Sequence, residues 1–131
     1  MSLKVILIVE DDAAIARLVQ QALNGQPRYV ALSVPDAAAA TRVLAATYVD
    51  LLILDADLPG DGGLALYDRL RGRTAPAAPP CLFLSERDCR QQLARRGLRD
   101  FLPKPFEISE LLERVHALLS APDRPSYQES P

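Results

Sequence analysis

The sequence predicts an α/β fold: a flavodoxin-like (βα)5 domain, a doubly wound parallel five-stranded sheet with strand order 2-1-3-4-5. Two observations predict it. Short apolar runs alternate with segments of helical periodicity, which implies a parallel sheet covered by helices on both faces. The alternation repeats five times within 131 residues, the size of one domain. Five units that do not close into a barrel favour this strand order, and right-handed crossovers leave few others.

The elements follow in chain order. Val5 to Val9 (VILIV) is a branched apolar run, as a strand buried on both faces requires. Ile15, Leu18, Val19, Ala22 and Leu23 recur at helical spacing, and Asn24-Gly25 stops that helix. Tyr29 to Leu32 reads as the second strand. Ser33 precedes Asp36 by three residues with Pro35 between them, so Ser33 is the expected cap of an Ala-rich helix reaching about Ala46. Leu51 to Leu54 is the third strand. Pro59, Gly60, Gly62 and Gly63 form a loop before a short helix carrying Leu64, Leu66, Tyr67 and Leu70. Arg73 to Pro80 reads as a linker, and Cys81 to Leu84 as the fourth strand. A polar fourth helix spans about Asp88 to Arg95, closed by Gly97. Asp100 to Leu102 is a very short fifth strand. The last helix places Ile108, Leu111, Leu112, Val115, Leu118 and Leu119 on one face. The expected domain is 1–121, with 122–131 a Pro/Ser-rich tail or the start of a linker.

Composition bounds the function. The chain is 49% hydrophobic and 24% charged, with net charge −2, so it lacks the basic excess of a nucleic-acid-binding domain. Arg95-Arg96 is read as a solvated helix end. Its longest uninterrupted apolar runs are far too short to span a membrane. With no secretory signal evident, the expected location is the cytoplasm. Cys81 and Cys89 are then free thiols in a reducing compartment, Cys81 a small core residue. Tyr29, Tyr48 and Tyr67 are read as packing residues, and His116 as a partly exposed histidine without a partner ligand.

The chemistry is expected at the strand ends. In open α/β sheets, ligands sit beyond the carboxyl ends of the strands, at the switch point between the first and third. Past the first strand come Glu10, Asp11 and Asp12. Past the third come Asp55 and Asp57, past the fourth Ser85, and past the fifth Lys104 between Pro103 and Pro105. Asp12 is read as a helix cap. Several carboxylates held together need a cation. A hard ion with oxygen ligands, Mg²⁺, suits them. Lys104 and the Ser85 hydroxyl would complete a cage for phosphoryl oxygens. An Asp carboxylate can itself be the nucleophile, giving an acyl phosphate.

Val9-Glu10-Asp11-Asp12, Leu54-Asp55, Leu58-Pro59, Ser85 and Lys104-Pro105-Phe106 together resemble the receiver domain of bacterial two-component response regulators, over about residues 4–119. The segment Asp100 to Leu119 is similar to the OmpR/PhoB group. The resemblance implies a phosphoacceptor regulatory domain, not an enzyme beyond self-phosphorylation and slow autodephosphorylation. Asp55 would accept the phosphoryl group. Asp11 would bind Mg²⁺ directly, Glu10 through water, and Asp57 through its backbone carbonyl, with Asp55 also a metal ligand. Lys104 would pair with the phosphoryl group, while Ser85 and Phe101 would be the switch residues. The implied partner is a sensor histidine kinase or phosphotransfer protein. The implied output is the fourth helix, fifth strand and fifth helix, toward an effector domain or a homodimer using charges such as Asp100, Glu110 and Arg114.

Departures from the family pattern leave alternatives. Glu86 follows Ser85 where a small residue is usual, and would crowd the entrance or compete for Lys104. Arg87 and Asp57 flank the phosphate site and are placed to pair across it. The stretch from Ser85 to Lys104 is shorter than usual, and Gly62 replaces a common polar residue. A pseudo-receiver, an interaction module without phosphorylation, is the alternative these features support. Asp55-Ala56-Asp57 also resembles the Asp-x-Asp of haloacid-dehalogenase-type phosphatases. That motif normally follows a first strand, and here it follows the third.

Overall fold

The structure, a computed structural model, describes residues 3–72 and 78–120. Its elements are β1 (Lys4–Val9), α1 (Ala13–Asn24), β2 (Tyr29–Val34), α2 (Ala37–Ala46), β3 (Leu51–Asp55), α3 (Gly62–Arg71), β4 (Cys81–Ser85), α4 (Arg90–Ala94), β5 (Phe101–Pro103) and α5 (Ile108–Leu119). All strand pairs are parallel, in the order β2-β1-β3-β4-β5. The predicted architecture and strand order are those observed. The tail 122–131 and residues 73–77 of the predicted Arg73–Pro80 linker lie outside the described residues.

The apolar runs are explained by two cores, one on each face of the sheet. Because side chains alternate along a strand, Ile6 and Ile8 face one side while Leu7 and Val9 face the other. Ile6, Ile8, Leu51, Ile53, Leu82 and Leu84 pack with Val19 and Leu23 of α1 and Leu111 and Val115 of α5. Leu7, Val9, Leu52, Leu54 and Phe83 pack with Ala40 of α2, Leu66, Tyr67 and Leu70 of α3, and Leu93 of α4. Tyr67 meets Phe83 edge to face, with ring centroids 5.7 Å apart. This sandwich fixes the carboxyl ends of β1, β3 and β4 beside one another. Among the described residues, no helix is long and apolar enough to cross a membrane.

Several local expectations are corrected. Ser33 is not a helix cap: β2 continues through Val34, pairing Ser33 with Ile8 and Val34 with Val9. Asp36 caps α2 instead, its carboxylate accepting the Ala39 N–H at 2.8 Å. Asp12 does cap α1, accepting from Ala14 and Ile15. Helix α4 has only five residues, shorter than the predicted Asp88–Arg95. The Asp88 carboxylate holds the Arg90 backbone N–H just ahead of the first turn. Gly97, at φ +72°, lets the chain reverse after α4, and the Leu98 N–H returns to the Leu93 carbonyl. Leu18 is 48% exposed and Tyr48 64%, so neither is buried in the core. Arg95 is exposed, but Arg96 is not simply solvated. Its guanidinium grips both oxygens of Asp68 on α3 at 2.7 and 2.8 Å. Cys81 and Cys89 are buried free thiols, and burial pushes the Cys81 thiol well above its usual pKa.

Candidate functional site

The carboxyl ends of β1, β3 and β5 bring four charged side chains together. Glu10 and Asp11 follow β1, Asp55 ends β3 and Lys104 follows β5. Carboxylate oxygens of Glu10, Asp11 and Asp55 all lie within 4.8 Å of one another. Glu10 and Asp55 are each 2% exposed, while Asp11 is exposed. Lys104 Nζ reaches between the buried pair, 3.0 Å from Glu10 Oε1 and 3.3 Å from Asp55 Oδ2. Two buried carboxylates need such a cation, because each uncompensated charge costs several kcal/mol to desolvate.

The remaining contacts fix these groups in place. Glu10 Oε2 accepts the Asp12 N–H at 3.1 Å. Glu10 Oε1 is buried, and its contact with Lys104 lacks hydrogen-bond geometry. Among the described residues that oxygen therefore has no hydrogen-bond partner. Asp55 Oδ1 accepts the Asp57 N–H at 2.8 Å. Burial, and then the neighbouring Asp55 carboxyl, raise the Glu10 pKa to about 7. Burial alone would depress the Lys104 ammonium, but Glu10 and Asp55 outweigh it and hold its pKa above the usual value. The Lys104–Pro105 peptide is cis.

Divalent-cation chemistry fits this donor set. The three carboxylates are hard oxygen ligands, the ligand type that Mg²⁺ prefers. Glu10 Oε1, ion-paired with Lys104 at 3.0 Å but receiving no hydrogen bond, is a further buried acceptor. Glu10, Asp11 and Asp55 could therefore hold a metal ion.

Asp57 and Ser85 form a second, adjoining group. Ser85 is 1% exposed, and its hydroxyl donates to Asp57 Oδ2 at 2.9 Å. Arg87 pairs with Asp57 Oδ1 at 2.8 Å, as its flanking position suggested. Burial alone would raise the Asp57 carboxyl, but Arg87, the Glu86 N–H and Ser85 hold it below the usual carboxylate range. Glu86 does not take Lys104, whose ion partners among the described residues are Glu10 and Asp55. Glu86 is exposed and contributes its backbone N–H to Asp57. Phe101, at the start of β5, is half-buried and opposite Phe83. It lines a surface cleft with Arg87, Arg90, Arg99, Pro103 and Arg114, and its carbonyl accepts from Arg114 at 2.9 Å.

Gly63 was read only as a loop residue, and it is a determinant of this site. It starts α3 directly against the Asp55 peptide, where a Cβ would overlap the Asp55 carbonyl oxygen. The adjacent Gly62, at φ +86°, makes the turn that allows this approach. The paired glycines just after Asp55 were the available signal. Their reason is a contact between α3 and the end of β3 that no local pattern states.

Known proteins resemble this chain in sequence and in fold. A family model described as the response regulator receiver domain matches residues 6–116. Protein PetR of Rhodobacter capsulatus is 39% identical over 118 residues, covering 87% of this chain and 48% of that protein. The chain spans about half the length of the curated relatives it matches. A response regulator receiver protein from Burkholderia phymatum is similar in structure, with TM-score 0.75 and 29% identity over 88% of this chain and 94% of that one. Response regulator protein TrrA from Thermotoga maritima, solved in complex with Mg(2+)-BeF, matches with TM-score 0.76 and 27% identity. That match covers 89% of this chain and 100% of TrrA.

Proposed function

We propose a function from one premise: the chain belongs to the response regulator receiver domain family. It is a phosphoacceptor switch. Asp55 takes a phosphoryl group from a histidine kinase or phosphotransfer protein in a Mg²⁺-dependent reaction. The observation that carries this reading is the Lys104 ammonium held between buried Glu10 and Asp55, with Asp11 completing the acidic cluster.

The contacts support tasks for Asp55 and Lys104, and membership of the family suggests those of the other residues. The Asp57 N–H holds one oxygen of Asp55 and Lys104 contacts the other, so the nucleophile is fixed before a donor arrives. Lys104 then moves from neutralising Asp55 to neutralising the transferred group. Glu10, Asp11, Asp55 and the Asp57 carbonyl would hold Mg²⁺, which would supply the remaining positive charge beside the phosphoryl oxygens. Ser85 turns toward the modified Asp55, and Phe101 reports the change to the α4–β5–α5 surface. The domain is regulatory: its product stays on its own side chain, apart from slow autodephosphorylation.

That surface engages an effector domain or a second copy. Residues 1–121 are the receiver and 122–131 a tail or linker. The site of action is the cytoplasm, and this domain makes no nucleic-acid contact of its own. Incubation with acetyl phosphate and Mg²⁺ tests the reading by intact mass. The expected result is a gain of one phosphoryl group, blocked by EDTA and absent from Asp55→Asn. No gain from acetyl phosphate, together with no binding of beryllofluoride, would leave the pseudo-receiver.

A further inference from the structure

Asp57 lies two residues beyond the proposed acceptor and collects donors from a single turn. Its Oδ2 accepts the Ser85 hydroxyl at 2.9 Å and the Glu86 N–H at 3.1 Å. Its Oδ1 accepts both Arg87 Nη2 at 2.8 Å and Nε at 3.3 Å. The Arg87 backbone N–H closes the turn by donating to Ser85 Oγ at 3.0 Å. A serine hydroxyl has one proton to donate. While that proton serves Asp57, no oxygen on Asp55 receives it. We propose that Asp57 and Arg87 form a latch that holds the Ser85 hydroxyl away from the phosphoryl site and so sets how readily Asp55 is loaded. The latch rests on the phosphoacceptor reading above.

The strength of the latch suits a switch. Arg87 grips Asp57 through two N–H groups, both donating to the one oxygen Oδ1. Its side chain is nevertheless 79% exposed, against 25% for Asp57, so water competes and the pair is worth little in isolation. A weak latch leaves the two Ser85 arrangements close in free energy, so a phosphoryl group can shift the balance. Arg87 also lines the cleft that contains Phe101. Opening the latch therefore frees a cation at the proposed output surface. Arg87 is a positioning residue, acting through Asp57 on Ser85.

The obvious rival role for Arg87 is to attract the incoming anion. The two roles predict opposite signs. An attracting arginine helps loading, so its removal weakens binding of a phosphoryl mimic. A latching arginine opposes loading, so its removal strengthens binding.

The test measures beryllofluoride affinity in Mg²⁺ by NMR titration of the full chain. The proteins are wild type, Arg87→Ala, Arg87→Lys, Ser85→Ala and the Arg87→Ala/Ser85→Ala double variant. Arg87→Ala is expected to bind about 2- to 5-fold more tightly than wild type. Arg87→Lys keeps the charge but loses the paired N–H donors on Oδ1, and should fall between them. In the Ser85→Ala background, Arg87→Ala should change affinity by less than about twofold, because the latch acts through that hydroxyl. Weaker or unchanged binding by Arg87→Ala, or equal tightening without Ser85, would overturn the latch alone. Failure of every protein, wild type included, to bind beryllofluoride would overturn the phosphoacceptor reading and the latch with it.

Discussion

Lys104→Ala is expected to lower stability by about 3 kcal/mol at pH 8 and to abolish labelling by acetyl phosphate. The side chain is the only cation seen between Glu10 and Asp55 among the described residues. Removing it leaves two carboxylates buried at the sheet's edge without compensation. The effect should depend on pH in a definite direction. The Glu10 pKa is raised to about 7 in the folded chain, above its ordinary value of 4.5. The folded state therefore binds more protons than the unfolded one between these values. Glu10's contribution to stability is fully present below about 4.5 and is lost as pH rises through 7. Without Lys104 the Glu10 pKa moves further up, and the penalty above pH 7 grows. The deficit of Lys104→Ala should thus be larger at pH 8 than at pH 5.5, as read from urea unfolding in EDTA. Mg²⁺ should recover part of it at pH 8, by binding only the folded site. A variant as stable as wild type at pH 8 would remove Lys104 from the centre of the site.

Gly63→Ala is the second large effect expected. Its new Cβ would meet the Asp55 carbonyl oxygen and carbon and the Ala56 Cα, all of them backbone atoms that cannot swing aside. Either α3 retreats from the end of β3 or the Asp55 peptide rotates. Overpacking of this kind costs about 1–3 kcal/mol, and contact with rigid backbone puts it toward the upper end. The functional loss should exceed the stability loss, because a displacement of about 1 Å at the nucleophile costs on the order of 100-fold in rate. Gly60→Ala is the control. Gly60 has positive φ, unlike Gly63, and a Cβ there meets nothing within 4 Å, so its cost is backbone strain alone, without displacing Asp55. Urea unfolding and acetyl phosphate labelling rates separate the two. Equal labelling rates for the two variants would contradict the role given to Gly63.

The strand-end residues were legible because each sits in its own local pattern. Glu10 and Asp11 follow an apolar run, Asp55 ends another, and Lys104 lies between prolines after a third. A parallel sheet then brings these ends together without further information. Ser33 was misread because Ser33 and Asp36 both satisfy a capping rule. Pairing of Ser33 and Val34 with β1 outweighed the local signal and gave the cap to Asp36. The fourth helix was overextended because polar residues carry no stop signal until Gly97. The Arg96–Asp68 fork and the Gly63–Asp55 contact join residues far apart or packed through the fold, which periodicity does not encode. The Asp57–Arg87 pair was foreseeable from flanking positions, yet the seat of the Ser85 hydroxyl on Asp57 was not.

The most direct test of the central claim locates the phosphoryl group itself. Protein labelled with acetyl phosphate and Mg²⁺ is treated with borohydride, which reduces an acyl phosphate to the alcohol, and is then digested and sequenced by mass spectrometry. Homoserine in place of Asp55, and at no other aspartate, is the predicted result. Homoserine at Asp11, Asp12 or Asp57, with Asp55 intact, would contradict the assignment of the acceptor and the roles built around it.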